Sequence, residues 1–351
     1  MPTEEDVVRQ IVRDELEKNR RYLRVDGGNR LDEDIDFNRQ EVKGLRFHNM
    51  TSTERRALFD VKIGMVVSET DTGDALIYIA DNSGIRGWRS IVSSDFLLEV
   101  AKGNVPGHSS DNKFGRNIEV DSGVTADVWD GGHTVASGGT SLIWLAPTAA
   151  RIHTIASTSA NDDTGGTGAN SVKINYLPDW DTGEATETVT GDLNAGIAMS
   201  NAAVMINRME VIIQSTSTTI NAGEITATAA TDSTVTARIR IGQGQTQTAI
   251  YGIPSTQKLK IGRFYANVNK AGGAAGLLDV TMLANTAPDT NTTEFITKHT
   301  FGLQTVGTSA FTIPYYVPKK IDGPAIVKVQ VASNTNDMDV SAGFDFVVVD
   351  N

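Results

Sequence analysis

Five histidines, His48, His108, His133, His153 and His299, are the side chains best suited to proton transfer or metal ligation near neutral pH. They are scattered, and none stands at a metal-ligand spacing such as His-Glu-x-x-His, so no histidine metal site is expected. Oxygen ligands for Ca²⁺ could come from Asn161-Asp162-Asp163 and from Asp179 with Asp181. Asp and Asn also bond their own backbone in tight turns, and turn formation is the expected role. Gly242-Gln-Gly244 lacks the third glycine of a dinucleotide fingerprint, and the Lys-Ser/Thr of a phosphate loop is absent. It reads as a strand-ending turn. Trp129, Trp144 and Trp180, with Tyr315 and Tyr316, could stack on a saccharide, although core or subunit interface is the commoner fate of such residues. An acidic chain has many carboxylates that folding could pair for glycoside hydrolysis, but no pair is marked out. No catalytic residue, metal or cofactor is therefore assigned.

The elements that would position these side chains are mostly strands. The chain has 351 residues, 33 of them Gly, with 6% aromatic residues and many Thr, Ser, Ala and Val, a composition of turn-rich β structure. The absence of Cys removes thiol catalysis, thiolate metal sites and disulfides, and fits assembly in a reducing cytosol. A net charge of -12 argues against a phosphate-backbone partner, so no nucleic acid is expected. No apolar run approaches a membrane span and the start lacks the basic residues of a secretory signal, so neither insertion nor export is expected.

In chain order, Thr3 can cap a helix in which Val8, Ile11, Val12 and Leu16 form an apolar stripe. The stripe is too short to be stable alone. Residues 1–25 therefore read either as a helix docking the protein on a larger assembly or as one folded back on its own chain. A breaker-rich segment, 101–122, reads as a linker or arm. From about Val120 onward, about fifteen short strands alternate with turn clusters. They include Val124 to Trp129, Ser141 to Leu145, Val235 to Ile241 and Ala325 to Val331, with alternation suited to sheets with one buried face. So many strands imply two β-sandwiches, 123–237 and 238–351, for which jelly-roll connectivity is one possible arrangement.

Between these regions, Leu31, Ile35, Phe37, Val42, Leu45 and Phe47 follow neither a helical nor a strand period. Copies winding round a common axis could bury them together. The run Leu31-Asp-Glu-Asp-Ile35-Asp-Phe37-Asn38, continuing to Val42 and Leu45, resembles segments of tailed-bacteriophage fibre proteins. So does Thr51 to Leu58 with its Arg55, followed by Gly64-Met-Val-Val67, Thr70-Asp-Thr, Leu76-Ile-Tyr-Ile79 and Gly87-Trp88. Looser likenesses to phage virion proteins occur at Arg151 to Asp163 and at Gly242 to Tyr251. The resemblance implies a non-enzymatic virion protein with a trimerising module over 26–100. It would be a homotrimeric fibre or spike binding other virion proteins and host surface glycans, or else a capsid decoration protein. A carbohydrate-degrading tailspike is the alternative of another class.

Overall fold

The computed structural model describes residues 48–59, 61–71, 75–80, 86–90, 96–129, 142–212, 220–270, 275–291, 293–306 and 309–351. The expected attachment stripe, Val8, Ile11, Val12 and Leu16, and the expected trimer contacts, Leu31, Ile35, Phe37, Val42, Leu45 and Phe47, lie outside the described residues. The protein is mainly β and falls into two compact units.

The described part of the first unit holds β1 (His48–Met50), α1 (Ser52–Arg56) and β2 (Val66–Glu69), with β1 and β2 parallel. Thr51 caps helix α1. The Thr51 hydroxyl accepts from the Glu54 N–H at 3.2 Å and the Glu54 carboxylate accepts from the Thr51 N–H at 2.6 Å, satisfying two orphan donors reciprocally. Asp71 then accepts from the Ser52 N–H at 2.9 Å, and Arg55 pairs with the buried Glu69.

The second unit begins with a hairpin of β3 (Ala75–Ala80) and β4 (Arg86–Ser90), whose Tyr78 and Trp88 rings meet edge on at 5.4 Å, and continues through α2 (Phe96–Ala101). Its body is two sandwiches. One is built from β5 (His108–Val120), β6 (Thr125–Asp127), β14 (Ile250–Ile253), β15 (Gln257–Lys270), β16 (Leu277–Asn285), β17 (Ile296–Gln304), β18 (Ala310–Asp322), β19 (Ala325–Ser333) and β20 (Met338–Asp350). Its sheets have the orders β18-β15-β20-β5 and β14-β19-β16-β17, with β6 pairing β19 beyond the end of β14. If β6 and β14 count as one interrupted strand, the pairing is nested: first with last (β5 with β20), β6/β14 with β19, β15 with β18, and β16 with β17. This is a long antiparallel ribbon rolled into two layers. Alternate residues of both sheets, among them Phe264, Val280, Val329 and Phe344, fill the space between them.

The interruption of the ribbon carries the second sandwich. It comprises β7 (His153–Ser157), β8 (Ser171–Leu177), β9 (Ala185–Thr190), β10 (Ile197–Ala198), β11 (Met205–Val211), β12 (Ile225–Ala229) and β13 (Val235–Ile239). The sheets β10-β7-β12-β13 and β11-β8-β9 enclose Ile155, Ile174, Met209 and Ile225. A third apolar cluster, with Trp129, Trp144, Leu177, Met205, Ile250 and Ile326, joins the two bodies.

The strand pairings depart from the expected boundaries. The segment expected as a linker holds the 13-residue β5, because backbone pairing with β20 and inward Lys113, Gly115 and Asn117 outweigh its breaker-rich composition. The bodies are nested rather than successive: 123 falls between β5 and β6 of one sandwich, whereas 238 falls at the end of the inserted one, in β13. Residues 142–145, within the expected strand Ser141 to Leu145, are irregular: the Leu142 carbonyl accepts from the Asp127 N–H at 2.9 Å, and the Trp144 N–H turns to the Asp127 carboxylate at 2.8 Å. The alternation in β13 and β19 also misleads about exposure. Both strands are buried on both faces, and each takes in a cation held by an acid, Arg238 by Glu224 and Lys328 by Asp127 at 2.7 Å.

Burial pushes the Asp127 carboxyl up, while Lys328, the Trp144 N–H and Gln330 pull it down. Replacing it by Asn leaves the Lys328 ammonium buried without its counter-charge, a change that costs about 3–5 kcal/mol. Denaturant titration of Asp127→Asn should show a loss of that size, whereas Asp339→Asn, at a surface pair, should stay within about 1 kcal/mol of the parent.

Candidate functional site

The outer face of the sheet β18-β15-β20-β5 carries two shaped depressions. Along β20 the even-numbered residues Val340, Ala342, Phe344, Phe346 and Val348 point inward, which turns Ser341, Gly343, Asp345 and Val347 outward. On β5 the same alternation presents Asn112, Phe114 and Arg116, and on β15 it presents Arg263, Tyr265 and Asn267. A bulge at Gly262 resets the β15 register against both neighbours, so Arg263 faces outward although Ile261 faces in. Tyr265 lies across Gly343, where a Cβ would stand 2.2 Å from the Lys113 carbonyl and 2.7 Å from the Tyr265 hydroxyl. Glycine at 343 is thus what lets the ring settle on the sheet.

Two depressions, of about 760 and 800 Å³, share Asn112, Arg263 and Asp345. The first is lined by Phe114, Arg116 and Tyr265, the second by Leu97, Tyr315 and Tyr316. Burial, with Asp345 second, raises the Tyr265 phenol above its ordinary range, so it stays a neutral hydrogen-bonding group on an aromatic platform. Carboxylates around this face sit beside arginines, Asp345 with Arg263 at 3.4 Å, Asp339 with Arg116 at 3.3 Å and Asp111 with Arg208 at 2.9 Å. Charge forks beside aromatic platforms suit polar, ring-shaped ligands or a polar protein surface.

The sequence candidates are dispersed. Trp129 and Trp144 are core residues, Trp180 packs against that core, and the Trp144 indole donates to the Thr236 carbonyl at 2.9 Å. Tyr315 lies in an aromatic group with His299, 5.7 Å between rings, while Tyr316 is 98% exposed. Asp162 is fully buried and accepts from Ser157, Ala169, Ala222 and Gly223, so its oxygens organise two loops. Asp163 accepts from the Asn194 N–H, and Asp179 accepts from the Asp181 and Thr182 amides in a tight turn. Among the described residues no three His, Asp or Glu side chains gather as metal ligands. Gly242 and Gly244, at φ 74 and 70, form the expected turn, clamped by Asn221. His108 borders the second depression, His153 is buried, and His133 lies outside the described residues.

Sequence reasoning missed a polar centre beneath this face. Lys113, on the inward side of β5, donates to the backbone carbonyl of Asn207 at a bulge in β11. Asn207 in turn donates to Glu184 at 2.6 Å and exchanges bonds with Gly252 of β14, whose N–H reaches Asn207 Oδ1 at 2.8 Å. Burial pulls the Lys113 amine down to about 7. With β5 taken for a linker, nothing assigned Lys113 to an interior; the one signal was a lysine two residues before an inward glycine.

No protein-family description matches the sequence, and no curated protein matches it. Among solved structures, a chain of the infectious bursal disease viral particle aligns at 11% identity and TM-score 0.22, covering 79% of this chain and 62% of that one, less than two thirds of its length. The subviral particle of the same virus aligns at 11% identity and TM-score 0.19 over 79% of this chain and 64% of that one. The Gx strain structure gives 10% identity and TM-score 0.20 over 73% and 78%.

His153 supplies a pH test. Its Nδ1 is 3.0 Å from the Arg151 carbonyl, its Nε2 has no hydrogen-bond partner among the described residues, and burial lowers its affinity for a proton more than the carbonyl and Asp232 raise it. The unfolded chain therefore binds the proton that the folded chain refuses. Stability should be level above the ordinary value of 6.5 and fall as pH drops from there toward the lowered folded value. Thermal unfolding across this range should show the slope in the parent and a smaller one in His153→Asn, which keeps a donor for Arg151. Asp179 and Asp232, whose carboxyls are held below 3.8 in the fold, lose their contribution only at lower pH.

Proposed function

We propose that this chain is a non-enzymatic structural protein of a virion, a homotrimeric fibre or spike of a tailed phage, which binds through its sandwich surfaces. The observation that carries an assembling role is the edge formed by β17 and β18. Both strands end their sheets, and Ile296, Phe311, Tyr316 and Val317 stand 59%, 45%, 98% and 84% exposed on them. Strand β18 also carries Pro314, Pro318, Lys319 and Lys320, which oppose strand-to-strand addition, so a neighbouring copy would cover this edge through its exposed apolar side chains rather than by extending the sheet. The fibre-like residues from Leu31 to Trp88 support the phage reading, and the nested strand order of the C-terminal sandwich supports a jelly-roll, an architecture used by capsid proteins and lectins. A capsid decoration protein is the second reading, favoured by the same exposed edge acting as a clamp.

In this account residues 1–25 dock the protein on other virion proteins, and the face around Tyr265 and Arg263 meets host glycans. Light scattering of the full chain should give three times 37.6 kDa. Val317→Lys, at an 84% exposed side chain, should shift the protein toward monomer with an unchanged circular-dichroism spectrum, the monomer unfolding more readily because assembly no longer stabilises it. A stable parent monomer would overturn the trimer. Incubation with host envelope polysaccharide should release no reducing ends, and sustained release would favour the tailspike enzyme instead.

A further inference from the structure

The centre beneath the outer face holds the groups that an amide-exchange reaction needs. Lys113 and Asn207 are 2% and 1% exposed, and the lysine Nζ already reaches the backbone oxygen of the asparagine whose side chain it would join. Gly252 N–H points at Asn207 Oδ1, and Glu184, an exposed residue, brings Oε2 to within 2.6 Å of Asn207 Nδ2. The Tyr251 ring, 5.6 Å from Nζ, walls the site.

We propose that Lys113 and Asn207 form an intramolecular isopeptide bond, with Glu184 as the proton carrier and the Gly252 amide as the oxyanion donor. The neutral Nζ attacks Asn207 Cγ, and the electron pair of the carbonyl moves to Oδ1, where the Gly252 N–H holds it. Glu184 takes a proton from the new Nζ–Cγ linkage and passes one to Nδ2. The carbonyl reforms, the Cγ–Nδ2 bond breaks, and ammonia leaves past Glu184 toward solvent. No oxidant, metal or energy source is required, because one amide replaces another. A buried lysine would ordinarily be an inert charge, but burial pulls Lys113 down to about 7, so a large fraction is nucleophilic at neutral pH. The bond would tie β5 of the outer sandwich to β11 of the inserted one across 94 residues of chain.

Intact-mass spectrometry of the full-length protein, kept above neutral pH after purification, decides the matter. The expected mass is that of the sequence less one ammonia, and trypsin should release a branched peptide joining the Lys113 and Asn207 segments. Lys113→Arg should restore the full mass. Glu184→Gln, which keeps a hydrogen-bonding partner for Asn207, should fold with the parent's circular dichroism but link at least tenfold more slowly. Asn207→Asp should give the same branched peptide by loss of water. Parent protein that retains its full mass, or a branch at other residues, would overturn the bond. Unchanged linking in Glu184→Gln would overturn the role of that carboxylate.

Discussion

The buried Asp127 carboxylate fixes how the two sandwiches meet. It accepts from Lys328 and Gln330 of β19 and from the Trp144 N–H, while the Asp127 carbonyl accepts from the Asn117 side chain of β5 at 2.8 Å. Trp144, held there, sends its indole into the inserted sandwich. One residue thus serves both sheets of the outer sandwich and the chain that leaves it for the insertion. The Lys328 ammonium also lies 4.2 Å from the Phe295 ring centre, so the cation is enclosed by a carboxylate and an aromatic face. An ion pair this deep adds little net stability over a well-packed apolar pair, since desolvation offsets the attraction. Its effect is on specificity: a slip of β19 by one residue would turn Lys328 away from Asp127 and bring Val329 to face it.

Strand existence was legible in the sequence because it is a local property. The expected strands Val235 to Ile241 and Ala325 to Val331 occur as β13 and β19 and differ only at their ends. Pairing was not legible, because it depends on partners far apart in sequence. Nothing within His108 to Val120 announces β20, and nothing within Thr125 to Asp127 announces β19. The interruption of one strand by a whole sandwich reads from sequence as two successive domains. Double-sided burial was hidden for the same reason. Alternation in β13 reports that one face is apolar, but Arg238 on the other face is buried only because Glu224 comes to meet it.

The candidate site divides in the same way. Turn chemistry around Asp162, Asp179 and Gly242 could be read from residue types, since each acts on backbone close by or on one neighbouring loop. The aromatic residues could be named but not sorted: Trp129 and Tyr316 share a chemistry and end fully buried and fully exposed. The polar centre at Lys113 draws on β5, β11 and β14 together with Glu184, four pieces that only the insertion brings to one place.

The point of insertion also determines which edge stays bare. A rolled ribbon leaves two pairs of sheet ends, β5 with β14 and β17 with β18. The inserted sandwich leaves the ribbon between β6 and β14, so it necessarily emerges at the first pair. There it covers the ends, through the Lys113 contact, the Arg208–Asp111 pair and the apolar cluster around Met205 and Ile250. It cannot reach the opposite side. An insertion between β16 and β17 would have protected the other edge and exposed β5. The nesting of the strands therefore decides which edge the inserted sandwich covers, and among the described residues it leaves the apolar side chains of β17 and β18 exposed.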